Sequence, residues 1–283
     1  YDLENAVART LEGLGYREII THSLRGRGEV AVANPLSEEQ RFLRDDLVDG
    51  ALEYLGRSDA SPRIFEIGEI FRARGDGLEE RWMLAFGFCA PPGDEPPWRD
   101  SNFLRLKGDC ERLLRAVTGF EPESRRASRA GLHPGKTAVL VVEAKEVGHV
   151  GAVDPRLAAK YELPQRAYLA ILDLRALPHF VTPTYRPPSR FPSTYRDLAL
   201  VVDDGVNASA LERAIAEQLG EICTSARAFD EYRGAQVGEG RKSLAVRVVL
   251  QRFDATITDE EADVAIAGLL EALRAQFGAE IRA

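Results

Sequence analysis

An α+β fold in two parts is what this sequence predicts, on three observations. Apolar positions in 191–283 fall in the order strand, helix, strand, strand, helix, strand, the split β-α-β ferredoxin-like arrangement. Positions 1–175 alternate helix-period segments with β-branched and aromatic runs, as expected for helices packed on an antiparallel sheet. Between them Pro178, Pro183, Pro187, Pro188 and Pro192 crowd into the 17 positions 176–192. Proline has no amide hydrogen to donate and a fixed φ, so 176–190 reads as an extended linker.

In the first part, Leu3, Val7, Leu11 and Leu14 recur at helical spacing and Gly15 follows as a stop. Positions 18–23 read as a short strand, and Leu43, Leu47, Ala51 and Leu55 mark a second helix. Positions 63–71 and 82–89 read as strands, separated from the next helix by a proline-rich loop at 91–97. That helix carries Phe103, Leu106, Cys110, Leu113 and Val117 on one face. Two further strands are expected at 137–143 and 167–174.

In the second part, 197–202 is a strand, and Asn207 caps a helix with Leu211, Ile215 and Leu219 on one face before Gly220. Strands at 223–232 and 242–251 flank a turn region at 234–240. Thr258 and Glu261 form a capping box at the start of a long helix. Its apolar face comprises Val264, Ile266, Leu269, Leu270, Leu273 and Phe277, and a short strand follows at Glu280.

Composition narrows the function. At 283 residues the chain is long enough for about two domains, and 45% apolar with 29% charged residues is an ordinary globular balance. No run of roughly 18 apolar residues exists, so a membrane-spanning helix is not expected. Tyr1-Asp2-Leu3-Glu4 is unlike a signal peptide. With Met83 the only methionine, a chain starting at Tyr1 reads as a fragment or a processed product. The three widely spaced cysteines (Cys89, Cys110, Cys223) and four scattered histidines suit neither a disulfide framework nor a zinc site, and point to a reducing, cytoplasmic setting. A net charge of −8 argues against coating nucleic acid by bulk electrostatics, but leaves recognition of an exposed base open.

Isolated motifs are weak. There is no Gly-x-Ser-x-Gly elbow, His-Glu-x-x-His pair or phosphate-binding loop. Asp45-Asp46 is a metal or acid pair, or a solvated helix start beside Arg41 and Arg44; the second is favoured. His133-Pro134-Gly135 presents either a catalytic imidazole or a structural turn, and again the structural reading is favoured. In Lys107-Gly108-Asp109 a mid-helix glycine costs about 1 kcal/mol relative to alanine. Gly108 therefore reads as a point of close packing.

A series of short segments carries a family signature. They include Gly15-Tyr16-Arg17-Glu18-Ile19-Ile20-Thr21-His22-Ser23, Asn34-Pro35-Leu36-Ser37, Phe65-Glu66-Ile67-Gly68 and Leu106-Lys107-Gly108-Asp109. Others are Arg196-Asp197-Leu198-Ala199, Phe229-Asp230, Tyr232-Arg233-Gly234, Lys242-Ser243-Leu244-Ala245 and Thr258-Asp259-Glu260-Glu261. In this order the chain resembles the C-terminal part of the β subunit of bacterial phenylalanyl-tRNA synthetase. The resemblance implies a degenerate, inactive class II synthetase-like module over 1–175, the linker at 176–190 and a ferredoxin-fold anticodon-binding domain over 191–283. It also implies a partner, the catalytic α subunit, in an assembly of two α and two β subunits that joins phenylalanine to its tRNA at the expense of ATP. ATP and Mg2+ belong to the α subunit and to upstream β regions; no cofactor or metal is expected on this chain, and no membrane partner.

The residues agree with a non-catalytic role. The strand at 63–71 sits where a class II enzyme grips ATP phosphates with arginine, yet its centre holds Glu66 and Glu69, whose charge repels phosphate. No glycine-rich strand-to-helix motif ending in Glu-Arg follows in the first part. Catalytic residues are therefore not expected.

In the second part both helices cover one sheet face, and strand alternation selects the other. Leu198, Leu200, Val202, Phe229, Leu244, Val246, Val248 and Leu250 are assigned to the core. Ala199, Val201, Ala228, Asp230, Tyr232, Ser243, Ala245, Arg247 and Val249 then point outward. Small residues leave a floor, Tyr232 offers a stacking plane, and Asp230 and Ser243 offer hydrogen bonds, the mix that reads single-stranded RNA. The resemblance implies that Ala199, Asp230, Tyr232 and Ser243 contact the anticodon, chiefly its first base, a guanine. Arg196, Arg233, Arg241, Lys242 and Arg247 are candidates for a basic rim. Because 191–283 holds 10 Lys+Arg against 16 Asp+Glu, the fragment alone is expected to bind tRNA weakly. Three alternatives stay open: a stand-alone enzyme fused to the same domain, a regulatory ligand binder, and a sheet face that meets another subunit.

Overall fold

The computed structural model describes residues 2–58, 62–75, 77–91, 100–181 and 187–282. The chain divides into two compact units, Tyr1–Pro183 and Thr184–Ala283. Most of the proline-rich loop expected at 91–97, and part of the linker, lie outside the described residues.

The first unit begins with α1 (Leu3–Gly13), capped by the Asp2 carboxylate, and Gly15 at φ +83° turns the chain into β1 (Arg17–Glu18). Three short strands, β2 (Leu24–Arg25), β3 (Val30–Ala31) and β4 (Phe42–Leu43), form a small sheet in the order β2-β4-β3. Then come α2 (Val48–Gly56), β5 (Ile64–Arg74), β6 (Gly77–Ala90) and α3 (Ser101–Thr118). The unit continues with β7 (Glu123–Arg126), β8 (Leu132–Val142), β9 (Lys145–Val153), α4 (Pro155–Lys160) and β10 (Arg166–Asp173).

Seven strands pair in the order β1-β5-β6-β10-β9-β8-β7, parallel only between β1 and β5. Val7 and Leu11 of α1 and Leu106, Cys110 and Leu113 of α3 pack on one face against Phe65, Phe86, Leu140 and Tyr168. Ala51, Leu52 and Leu55 of α2 cover the other face with Ile64, Cys89 and Leu169. Coverage on both sides explains the unbroken apolar run in β6, since neither face needs polar residues.

Several expectations are corrected. The strand expected at 18–23 shrinks to Arg17–Glu18, because the chain leaves the sheet edge as Thr21 turns to bond Glu66. Leu43 belongs to β4, and α2 starts only at Val48. Strands β7 and β9 were not expected: β7 is a polar edge strand, and β9 carries Gly148, His149 and Gly151, which read as turn residues. Gly148 is needed there because a side chain would run into the Ile171 carbonyl of β10. At Gly108, by contrast, an added Cβ would meet nothing within 4 Å, so it marks no close approach. The buried member of that motif is Asp109, which takes hydrogen bonds from Arg63 and from the Tyr16 hydroxyl (2.9 Å).

The second unit contains β11 (Thr194–Asp203), α5 (Ala208–Leu219), β12 (Cys223–Tyr232), β13 (Arg241–Leu250), α6 (Asp259–Phe277) and β14 (Glu280–Ile281). The sheet order β12-β13-β11-β14, antiparallel throughout, is the ferredoxin-like order. Both helices lie on one face, where Leu211, Ile215, Ile266, Leu269 and Leu273 meet Leu200, Leu244, Val246 and Val248. The Thr258–Glu261 capping box forms as expected. Asn207 sits at the N-cap of α5 without a side-chain hydrogen bond there. Val264 does not join the core: it is 74% exposed, two residues from both Ala262 and Ile266 and so turned away from the stripe of Ala262, Ile266, Leu269 and Leu273. No described helix is long and apolar enough to cross a membrane.

Candidate nucleic-acid interface

The sheet face opposite α5 and α6 is built by register. On central strand β13, Ser243 lies opposite Tyr232 of β12 and Val201 of β11, while Ala245 lies opposite Asp230 and Ala199. Directly opposed residues sit about 5 Å apart. The four residues singled out from the sequence, Ala199, Asp230, Tyr232 and Ser243, therefore ring two adjacent outward positions of one strand. Ala199 and Ala245 form the shallow floor, Asp230 is exposed, and Tyr232 is half-buried.

Access within this patch is uneven. Ser243 is only 4% exposed, lodged between Tyr232 and the buried Val201. The guanidinium of Arg282, just past β14, lies 4.6 Å from the centroid of the Tyr232 ring. It is held by Gln236 (2.6 Å), and its backbone amide donates to the Ala199 carbonyl (2.8 Å). Arg282 thus covers one face of the Tyr232 ring. Arg282 drew no attention in the sequence because it follows the last strand, and only the β11–β14 pairing returns it to the patch.

On β12 the alternation expected from the sequence fails. A bulge between Ala228 and Asp230 leaves Phe229 without a partner on β13. An extra residue in a strand re-aims the side chains around it. Ala228 packs on the core, and Phe229 is 57% exposed, within 5.6 Å of the Arg247 guanidinium on the open side. The assignments of Phe229 to the core and Ala228 to the open face are thus both reversed. Asp230 and Tyr232 keep their outward positions because they follow the bulge.

The five basic residues do not form a common rim. Arg196 lies on the helix side, bonded to Asp259 (2.9 Å) and Asp263 (3.0 Å) at the start of α6. Lys242 is 5% exposed, its amine 4.0 Å from Glu231. Both have even-numbered positions that strand alternation turns away from the open face. Arg233 pairs with Glu231 (2.7 Å) and Asp204. Arg241 bonds Glu280 (3.3 Å) and the carbonyls of Val201 and Gly278. These two line a depression of about 380 Å³ with Asp204, Gly238, Glu239 and Gly240. Arg247 alone of the five lies on the open face among aromatic rings, anchored by two bonds of 2.7 Å to Asp197.

The first unit's candidates are tied into local structure. Glu66 does not face solvent; it is buried against Arg44 (2.6 Å) and Thr21 (2.8 Å), so its charge is neutralised within the fold rather than presented to a phosphate. Asp46 accepts from the Asp49 amide (3.0 Å) at the start of α2, and burial pushes its carboxyl above the usual range. His133 Nδ1 accepts from the Gly135 amide (3.1 Å), closing a turn-like irregularity within β8. The thiols of Cys89 and Cys110 are buried, which raises the first to about 11 and the second well above its usual value. Among the described residues no group of three or more His, Cys, Asp or Glu converges as a metal requires.

Comparison with known proteins adds identity to this geometry. The family model of the phenylalanyl tRNA synthetase beta chain CLM domain matches residues 1–174, and that of the ferredoxin-fold anticodon binding domain matches residues 189–282. The phenylalanine–tRNA ligase beta subunit of Symbiobacterium thermophilum is 36% identical over 99% of this chain and 34% of its own length. That of Thiobacillus denitrificans is 33% identical over 99% of this chain and 37% of its own. Among solved structures, a pyrrolysyl-tRNA synthetase from Desulfitobacterium hafniense aligns with 62% of this chain and 66% of its own at 20% identity and a TM-score of 0.48. The chain thus spans about a third of the length of the curated relatives it matches. Two family models in series, agreeing with a ferredoxin-like second unit, make the chain a member of the phenylalanine–tRNA ligase beta-subunit family.

Proposed function

We propose that this chain is the non-catalytic, tRNA-reading portion of a cytoplasmic phenylalanine–tRNA ligase. Its second unit reads the anticodon, and its first unit packs on the catalytic α subunit within an assembly of two α and two β subunits. The observation that carries the reading is the cluster of Ala199, Asp230, Tyr232 and Ser243 around two neighbouring positions of β13. Tyr232 supplies the stacking plane, Asp230 accepts from the N–H groups of the guanine edge, and Ala199 leaves room for the base. Ser243 contributes its hydroxyl once Tyr232 shifts with the incoming base.

The first unit carries no catalytic residue in this reading. Glu66, in the strand where a class II enzyme grips ATP, is occupied by Arg44 and Thr21. ATP and Mg2+ act at the α subunit and in upstream β regions, and no cofactor is held by this chain. Aminoacylation kinetics of the assembled ligase test the proposal. Tyr232→Ala raises KM for tRNA while ATP-dependent pyrophosphate exchange stays intact. Unchanged KM would sink the anticodon assignment, and exchange activity in this chain alone would sink the non-catalytic one.

A further inference from the structure

A second feature of the same sheet face lies outside the Ala199–Ser243 cluster. Tyr195 on β11 and Phe229 on β12 are each 57% exposed. Between them, on β13, stands Arg247, its guanidinium carbon 4.5 Å from the Tyr195 ring centroid and 5.6 Å from that of Phe229. Asp197 holds the guanidinium by two parallel bonds of 2.7 Å, which orient its plane. Three flat groups from three strands thus line up across the sheet. The β12 bulge is what turns Phe229 to this side.

This ledge is separate from the Tyr232 patch yet continuous with it. From Ser243 to Arg247 is four residues along one strand, on the order of 13 Å at ~3.3 Å per residue. One base does not touch both. The outward residue between them is Ala245, flanked by Ala199 and Asp230, so the floor between the two is small and open.

We propose that the Tyr195–Arg247–Phe229 ledge is a second base-stacking subsite, taking a loop nucleotide next to the one stacked on Tyr232. The proposal rests on the anticodon-binding reading of this face. Aromatic rings and guanidinium planes stack with any base, so the subsite adds affinity with little sequence preference. It also suits an acidic unit: with 10 Lys+Arg against 16 Asp+Glu over 191–283, binding gains little from phosphates and must draw on bases. A protein partner fits less well. Docking surfaces cover about 800 Å² per partner, and this one is two rings bordered by Asp197, Arg227 and Asp230.

The test uses the ligase assembled from full-length subunits and the anticodon hairpin of its tRNA. A fluorescent guanine analogue that keeps the N1–H and amino edge is placed at the first anticodon position, and 2-aminopurine in turn at each neighbouring loop position. In the wild type, fluorescence is quenched at the first position and at a neighbour. Tyr195→Ala or Phe229→Ala removes the neighbour's quenching and weakens binding roughly five- to twentyfold, leaving the first position quenched. Tyr195→Phe, which keeps the ring, retains the neighbour's quenching. If both alanine variants leave every signal unchanged while Tyr232→Ala weakens binding and removes the first position's quenching, the ledge is no subsite and the anticodon reading stands. If the wild type does not bind the hairpin, both are overturned. Loss of subunit assembly with RNA binding intact would make the ledge a protein contact instead.

Discussion

Arg44 and Glu66 form an ion pair inside the first unit, Nη1 to Oε1 at 2.6 Å, with side chains 7% and 2% exposed. Thr21 adds its amide (3.1 Å) and hydroxyl (2.8 Å) to the carboxylate, and Arg44 Nε donates to the Glu69 carbonyl (2.7 Å). The pair joins the segment before α2 to β5 and to the chain leaving β1. Removing one partner leaves a buried charge without compensation, which costs about 3–5 kcal/mol. Arg44→Met is expected to destabilise the first unit by that order, and Glu66→Gln by somewhat less because the amide still accepts from Thr21. Arg44→Met combined with Glu66→Leu should cost less than the sum of the single changes, as read from urea unfolding of the four proteins. Additive costs would show that the two side chains are not coupled.

His149 on β9 makes the same unit sensitive to mild acid. Burial lowers its pKa below the usual imidazole range; the nearby Arg129 charge lowers it further and Glu146 opposes. Between the lower folded value and the unfolded one, near ~6.5, the unfolded chain binds more protons. Stability from neutral His149 is therefore complete above the unfolded value and is lost as pH falls toward the folded one. The melting temperature of the first unit should drop between pH 7 and pH 5, and His149→Gln should flatten that slope. An unchanged slope in the variant would assign the acid sensitivity to other groups.

Thr258 starts α6, with its hydroxyl accepting from the Glu261 amide (3.2 Å) and the Glu261 carboxylate accepting from the Thr258 amide (3.0 Å). An N-cap hydroxyl is worth about 1 kcal/mol. Thr258→Ala should destabilise the second unit by that amount and speed amide exchange in the first turn of α6, while Thr258→Ser should do neither. Equal exchange in all three proteins would remove the cap from the account.

The second unit was legible because each signal in it is local. The capping box, the stop at Gly220 and the period of β11 and β13 lie within single elements. Phe229 and Ala228 exchange faces through a bulge, which depends on a partner strand and leaves no trace in alternation. The same holds for the site. Tyr232 and Ser243 carry their chemistry in their side chains, whereas Arg282, Tyr195 and Phe229 gain theirs from neighbours far away in sequence. In the first unit the long-range pairings of β9 and of Arg44 with Glu66 were hidden for that reason. Strand parity alone leaves the anticodon contacts open, and the proposed ones rest on the resemblance of the family segments.

The measurement that bears most directly on the account is a titration of this chain with the anticodon hairpin of phenylalanine tRNA. It is run with and without replacement of the first anticodon guanine, for the wild type and for Tyr232→Ala. Anticodon reading by the open face predicts weak binding that depends on the guanine and falls in the variant by the ~1–3 kcal/mol of one stacked base. Binding that ignores both the guanine and Tyr232 would contradict it, and would move RNA recognition off the open face of the β12-β13-β11-β14 sheet.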